Sequence, residues 1–319
     1  MEKRKLGKSQ IAIAPLMFGG NVFGWTTDEA MSFRLLDAFV GAGFNAIDTA
    51  DVYSKWVAGH RGGESEAIIG AWLKARGGRD KVVIATKVGL EMPGIGQGLK
   101  ASYILARVED SLKRLNTDYI DIYQSHQDDQ STPLEETLGA YQKLMAQGKV
   151  RVIGASNYQA PRLAEALQTS TAKSLPRYES LQPLYNLYDR DQFEPELAAL
   201  TREKSVGVIP YYSLAAGFLS GKYRTPEDVA SGARASRVAQ RYLNERGKRV
   251  LAGLDQAAKA TGRTQAQIAL AWLLSHDEIT APIASATTLA QLAELAPAAG
   301  IVLDAATRGA LDEASRIGA

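Results

Sequence analysis

Apolar positions along the chain switch repeatedly between a period of two and a period near 3.6. Leu16–Phe18 and Phe44–Ile47 are apolar runs of strand length, and between them Met31, Leu35, Leu36, Phe39 and Val40 form one helical stripe. Thr26 and Glu29 have the spacing of a capping box before that stripe, and Gly41 and Gly43 end it. The alternation continues with a helix over 65–76, a strand over 81–87, a helix over 102–116 and a strand over 119–123. Thr132-Pro133-Leu134-Glu135 then reads as a helix start, with Thr132 capping and Pro133 first in the helix, and Gln147-Gly148 as its end. Strands follow over 150–154, 179–181, 206–210 and 279–283, with helices over about 161–168 and 195–204 and two more at the C-terminus. The run Val82-Val83-Ile84-Ala85 lacks polar alternation, as in strands of a parallel sheet covered on both faces.

Counted from Leu16, these are eight strands, each with a helix behind it. Strand starts between residues 44 and 206 lie 28 to 38 residues apart, the length of one βα unit. Eight such units predict an α/β fold, a closed (β/α)8 TIM barrel formed as one domain by residues 1–319, with a doubly wound open sheet as the competing architecture. The 73 residues between strand starts at 206 and 279 leave room for extra helices after strand seven. Before strand one, Gly7-Lys8-Ser9-Gln10 predicts the turn of an N-terminal β-hairpin; the basic start followed by Ile11–Phe18 imitates a secretion signal, but Pro15 interrupts its apolar part.

Composition narrows the chemistry. Cysteine is absent, which excludes disulfides, thiolate metal sites and cysteine nucleophiles. We expect no metal and a cytoplasmic location. A net charge of +2 provides no field to recruit nucleic acid, and no apolar run is long enough for a membrane helix.

In a (β/α)8 barrel the functional face is the C-terminal end of the strands. Strand two ends in Asp48, with Tyr53 in the loop beyond; strand three ends in Lys87; strand four runs into His126, and Asp48, Lys87 and His126 follow one another at intervals of 39 residues. Taken alone, Asp48 and Tyr53 read equally well as a strand followed by an Asp-started turn. Converging on one rim, an acid, a lysine, a phenol and an imidazole suit a proton relay. The ammonium is expected to lower the phenol pKa, the carboxylate to hold the lysine, and the imidazole to donate a hydrogen bond to a carbonyl oxygen. A hydride would then have to come from a cofactor.

These residues, with Ala85-Thr86-Lys87, Tyr119–His126, Gly154-Ala155-Ser156-Asn157, the Gln182 region and Tyr211–Tyr223, occur in an order that resembles the aldo-keto reductase family over nearly the whole chain, including its potassium-channel β-subunit-like branch. The resemblance implies an NAD(P)H-dependent oxidoreductase interconverting an aldehyde or ketone and its alcohol. Tyr53 would be the general acid/base, tuned by Asp48 and Lys87, and His126 would orient the carbonyl. By the same resemblance Ser156, Asn157 and Gln182 hold the nicotinamide carboxamide, Tyr211 stacks on its ring, and Ser213, Leu214, Gly217 and Lys222 line the pyrophosphate. Ser285, Thr287 and Gln291 occupy the segment that usually grips the adenosine 2′-phosphate with Lys or Arg, and Leu295 stands where an Asn often contacts adenine. NADP(H) is favoured on family frequency, with NAD(H) the alternative. A cofactor-binding regulatory subunit is the second functional class, and either a monomer or a homo-oligomer is compatible with the chain.

Three further features complete the reading. Trp25 and Trp56 lie at the catalytic rim and could wall a substrate pocket. Gly94-Ile95-Gly96-Gln97-Gly98 imitates a dinucleotide-binding glycine motif without following a strand, so it reads as a plain loop. The tract after strand seven carries Arg224, Arg234, Arg237, Arg241, Arg246, Lys248 and Arg249, which form either a solvated helical face or a lid over cofactor phosphates.

Overall fold

The computed structural model describes residues 1–229 and 235–317. Its centre is a sheet of eight parallel strands: β1 (Met17–Gly19), β2 (Ala46–Asp48), β3 (Val83–Val88), β4 (Ile120–Ser125), β5 (Val150–Ser156), β6 (Tyr178–Gln182), β7 (Gly207–Val208) and β8 (Ile283–Ala284). The strands pair in chain order, and β8 returns to pair with β1. Between β7 and β8 the ring is completed by a parallel bridge from Val208 to Ile279 and by the Ile283 N–H on the Pro210 carbonyl at 2.9 Å. The (β/α)8 barrel is therefore present, and the competing open sheet is not.

Side-chain alternation along each strand builds two cores. Met17, Ala46, Val83, Ala85 and Ile122 cluster with Leu6, Ile11 and Ile13 of an antiparallel hairpin formed by Arg4–Lys5 and Ala12–Ile13. The hairpin thus closes one end of the barrel interior. The alternate residues Phe18, Ile47, Ile84, Tyr123 and Ile153 belong to the larger cluster beneath the helices. Two residues beyond Ala46, Ala85 and Ile122, the same parity places Asp48, Lys87 and Gln124 on the inward face at the open end. Covalent order and a period of two are enough to aim these polar groups at one another.

The extra helices after β7 span Ala235–Tyr242, Glu245–Thr261 and Gln265–Leu274, and Leu289–Leu295 and Ala305–Ala314 follow β8. Helix starts differ in detail from the sequence expectation. The first helix, Glu29–Gly41, is capped by Asp28, whose side chain accepts from the Met31 N–H, rather than by Thr26. Thr26 instead falls in the turn before, where its N–H bonds the Val22 carbonyl. Helix Leu134–Ala146 has Pro133 in the capping position, and the Thr132 hydroxyl bonds Asp129 at 2.7 Å. At the first helix a carboxylate takes the acceptor role expected of a hydroxyl; at the second the Thr132 hydroxyl is drawn away as a donor to Asp129, and no side chain caps the helix. The Gly94–Gly98 segment is a tight loop closed by Met92 and Gly96, as expected.

Candidate active site

The chain leaves β2 without leaving β3 at once. The Thr49 N–H bonds the Ala85 carbonyl at 2.8 Å and the Asp51 N–H the Lys87 carbonyl at 3.3 Å. A turn then closes with the Tyr53 N–H on the Ala50 carbonyl, and Ser54, at φ +72°, anchors its hydroxyl on the Phe23 carbonyl at 2.7 Å. This anchored turn returns Tyr53 over the barrel mouth.

Lys87 is completely buried, and its ammonium donates three hydrogen bonds: to Asp48 Oδ2 at 2.8 Å, to the Thr49 carbonyl at 2.7 Å and to Tyr53 Oη at 2.9 Å. Tyr53 Oη lies 3.3 Å from the same Asp48 oxygen. The second Asp48 oxygen accepts from Gln182 Nε2 at 2.8 Å and from Gln124 Nε2 at 3.5 Å. Two charges buried this deeply persist only with such complete hydrogen bonding, because an unpaired ion would lose its hydration without replacement.

Burial pushes the Tyr53 phenol well above its ordinary pKa, and the Asp48 carboxylate pushes it further in the same direction. This corrects the expectation that the lysine would lower it. Asp48 is salt-bridged to Lys87, so the phenol senses a compensated pair rather than a bare cation. Burial lowers the Lys87 pKa, against the opposing pull of Asp48. For His126, burial foremost and then the Lys87 charge hold the imidazole well below its usual pKa. The ring is neutral, and its Nδ1 is buried without a hydrogen-bond partner. The arrangement comprises a protonated phenol, a lysine placed to stabilise the phenolate, and a neutral imidazole with one nitrogen unengaged.

Aromatic rings frame this centre. His126 stands edge-on to Tyr53 at 6.1 Å between centroids, Trp56 lies 6.1 Å from Tyr53, and Trp25 meets Trp56 edge-on at 5.5 Å. Trp56 is 47% exposed, a large apolar surface left open beside the phenol.

A second group of side chains adjoins the first through Gln182. Ser156 Oγ donates to the Gln182 carbonyl at 2.9 Å, Asn157 Nδ2 donates to the His126 carbonyl at 3.0 Å, and Tyr211 Oη donates to Asn157 Oδ1 at 2.8 Å. Asn157 sits at φ +57°, a conformation Asn tolerates better than most residues, and this turns its amide across the strand ends. After β7, Tyr212, Ala215, Ala216 and Gly217 all have positive φ. In this turn the Ala215 and Gly217 N–H groups bond the Tyr212 and Leu214 carbonyls, at 2.6 and 2.8 Å. Ser213 is buried, its hydroxyl on the Pro210 carbonyl at 3.1 Å, while Leu214 is half-buried beside it. A Cβ on Gly217 would come within 3.2 Å of Lys222 Cε, and the exposed Lys222 ammonium lies 4.8 Å from the Tyr223 ring centroid. The amide and hydroxyl groups gathered here, Ser156, Asn157 and Gln182, are of a kind that would receive the carboxamide of a nicotinamide.

The third group lies past β8. Ser285 Oγ bonds Asn21 Oδ1 at 2.7 Å, and the Thr287 N–H and hydroxyl both reach Gln291 Oε1, at 2.8 and 3.0 Å. None of these side chains carries charge. Arg234 lies outside the described residues, as does the side chain of Arg237, both named for the lid. The neighbouring cations engage the protein itself: Arg224 bonds Asp255, Arg241 bonds Asp189, and Arg246 bonds the Ser315 carbonyl.

Sequence reasoning missed Gln124 as a second donor to Asp48, and Asn21 as the partner of Ser285. The first was legible, since Gln124 shares the inward parity of Ile122. The second joins residues 264 positions apart and left no local signal.

With this geometry in hand, similarity to known proteins becomes informative. The chain matches the aldo/keto reductase family over residues 15–316. It is 35% identical over 312 residues to the uncharacterized oxidoreductase YrpG of Bacillus subtilis, covering 95% of this chain and 93% of that protein. It is 31% identical over 310 residues to the aldo-keto reductase YhdN of the same bacterium, covering 95% and 87%. A probable voltage-gated potassium channel subunit beta of Arabidopsis thaliana is 31% identical over 309 residues, covering 95% and 92%. The chain belongs to the aldo/keto reductase family of oxidoreductases. No single helix among the described residues is long and apolar enough to cross a membrane.

Proposed function

We propose that this protein reduces an aldehyde or ketone to the corresponding alcohol, and catalyses the reverse reaction, with Tyr53 as the proton donor and acceptor. The observation that carries this reading is the position of Tyr53 Oη, 2.9 Å from Lys87 Nζ at the barrel mouth, beside a neutral His126. A bound NADP(H), or alternatively NAD(H), supplies or accepts the hydride.

The protein's own residues handle the proton and the orientation of the substrate. His126 donates a hydrogen bond to the carbonyl oxygen from its neutral ring and polarises it. Tyr53 transfers its phenolic proton to that oxygen as negative charge develops there. Lys87 then stabilises the phenolate through its 2.9 Å contact, and Asp48 keeps the ammonium placed. Ser156, Asn157 and Gln182 would hold the carboxamide, Tyr211 would cover the ring, and the loop bearing Ser213, Leu214, Gly217 and Lys222 would hold the pyrophosphate. Ser285, Thr287 and Gln291 would contact the adenosine. Trp25 and Trp56 form the apolar wall for a small-molecule substrate. A role as a channel subunit, the one named for the Arabidopsis relative, would not require a complete proton-transfer set, and Tyr53, Lys87, Asp48 and His126 are all present here.

Tyr53→Phe keeps the ring and removes the hydroxyl. Reduction across a panel of aldehydes and ketones should fall by about 10²–10⁴-fold while fluorescence titration shows NADPH binding unchanged. A variant that retains most of its turnover would overturn the assignment of Tyr53.

A further inference from the structure

On the outer side of β3, one residue from Lys87, lies a second set of buried charges. Glu66 is fully buried; it accepts from Thr86 Oγ1 at 2.6 Å and pairs with Arg114 Nε at 2.7 Å. Arg114 also reaches Ser111 Oγ at 3.3 Å. Asp51, three residues after Asp48 and two before Tyr53, is 1% exposed. Apart from a weak contact with the Val52 N–H, neither of its carboxyl oxygens has a hydrogen-bond partner. The groups facing it are Glu66 from helix Glu64–Arg76, Arg114 and Tyr103 from helix Ala101–Leu115, Lys87 from β3, Tyr123 from β4 and Tyr141 from helix Leu134–Ala146. The Tyr123 hydroxyl is itself buried without a partner.

Counting charges over this connected region gives three buried carboxyls, Asp48, Asp51 and Glu66, against two cations, Lys87 and Arg114. Lys87 is taken by Asp48 and Arg114 by Glu66. Among the described residues no cation remains for Asp51. A carboxylate buried without a counter-ion or donors is far costlier than the neutral acid, so the odd carboxyl is the one that keeps a proton. Burial and the neighbouring Glu66 both push the Asp51 pKa well above the ordinary range.

We propose that Asp51, the buried carboxyl of this region whose oxygens have no ion-pair partner, is a positioning residue of the catalytic centre, which on ionising becomes a second counter-charge for Lys87 and so sets how readily Tyr53 releases its proton. This rests on the proton-transfer role assigned to Tyr53. Ionised Asp51 adds negative potential beside the relay and keeps the Tyr53 proton in place to higher pH. The neutral isostere Asp51→Asn removes that effect while preserving shape.

Two measurements test this, one of them independent of turnover. The infrared difference between wild type and D51N at neutral pH should contain the C=O band of a protonated carboxylic acid, fading as pH is raised; a spectrum without the band overturns the proposal. In the pH profile of kcat for carbonyl reduction with NADPH, D51N should move the alkaline limb downward by about half a unit or more at unchanged NADPH affinity. An unmoved limb overturns the proposal, even where the rate drops uniformly, since a uniform drop marks a structural role only. Should D51N fail to fold, Glu66→Gln takes its place. Relief of the neighbouring negative charge should shift loss of the Asp51 band to lower pH, and an unshifted band overturns the proposal. A wild-type protein that shows the band but reduces no carbonyl defeats the reductase reading, and with it the positioning role.

Discussion

The two halves of the barrel mouth are built on opposite electrostatic plans. Across β2 to β4, full charges are buried and held in one geometry: Lys87 has no exposed surface, Asp48 is 2% exposed, and every hydrogen-bonding position of the ammonium is filled. Past β8, Ser285, Thr287 and Gln291 are neutral and half-buried or exposed, and Thr287 bonds Gln291. The difference matches the role proposed for each half. A proton relay needs charges whose orientation is fixed before reaction, which a dry, over-bonded cage provides. A site that admits and releases a dinucleotide on each turnover gains more from backbone N–H groups and hydroxyls that water can satisfy between turnovers.

The largest expected effect comes from breaking the charged half. Lys87→Met fills the same space without the ammonium and leaves Asp48 buried and unpaired. It should lower kcat for reduction by roughly 10²–10³-fold. Chemical denaturation should show a loss of about 3–5 kcal/mol of stability, the cost of removing one member of a buried ion pair. A variant that is both stable and active would show that Lys87 serves neither function.

Acidity sharpens the comparison next. On the proposed mechanism reduction uses the protonated Tyr53, and its raised pKa keeps that form dominant through neutral pH, so the reductive rate should be level there and fall only in alkali. Oxidation needs the deprotonated phenol and should therefore climb steadily from neutral into alkaline pH. The lowered pKa of His126 keeps its ring neutral, so the reductive rate should decline only well into acid. Initial rates in both directions across one buffer series test all three signs.

A smaller change is expected from the neutral half. Ser285→Lys places a cation where the present hydroxyl bonds Asn21. It should tighten NADPH relative to NADH by about tenfold, the scale of one charge-assisted hydrogen bond to phosphate, with kcat little altered. Dissociation constants for both cofactors in variant and wild type would also establish which one the native residues prefer.

How much of this was legible beforehand varied by element. The apolar run of β3 and the stripe of helix Glu29–Gly41 located their elements to within two residues. Capping residues were misjudged at both Thr26 and Thr132, because Asp28 is an equally local and stronger acceptor and Asp129 draws the Thr132 hydroxyl away as a donor. At the site, parity along β2, β3 and β4 already aimed Asp48, Lys87 and Gln124 inward. The buried Glu66 was also foreshadowed, since it falls in phase with Ile69 and Leu73 on the apolar face of its helix.

The sequence alone determined the barrel, its strand order and the identity of the four residues at its mouth, because hydrophobic period and connection length are properties of the chain in one dimension. The tertiary structure decided the direction of the Tyr53 pKa. Whether an ammonium acidifies a phenol depends on burial and on which carboxylate shares the cation, and both are set by side chains from β2, β3, β4 and β6 meeting at one point. It also decided that Asp51 has no cation left to it, which becomes visible only once every neighbouring charge has been paired.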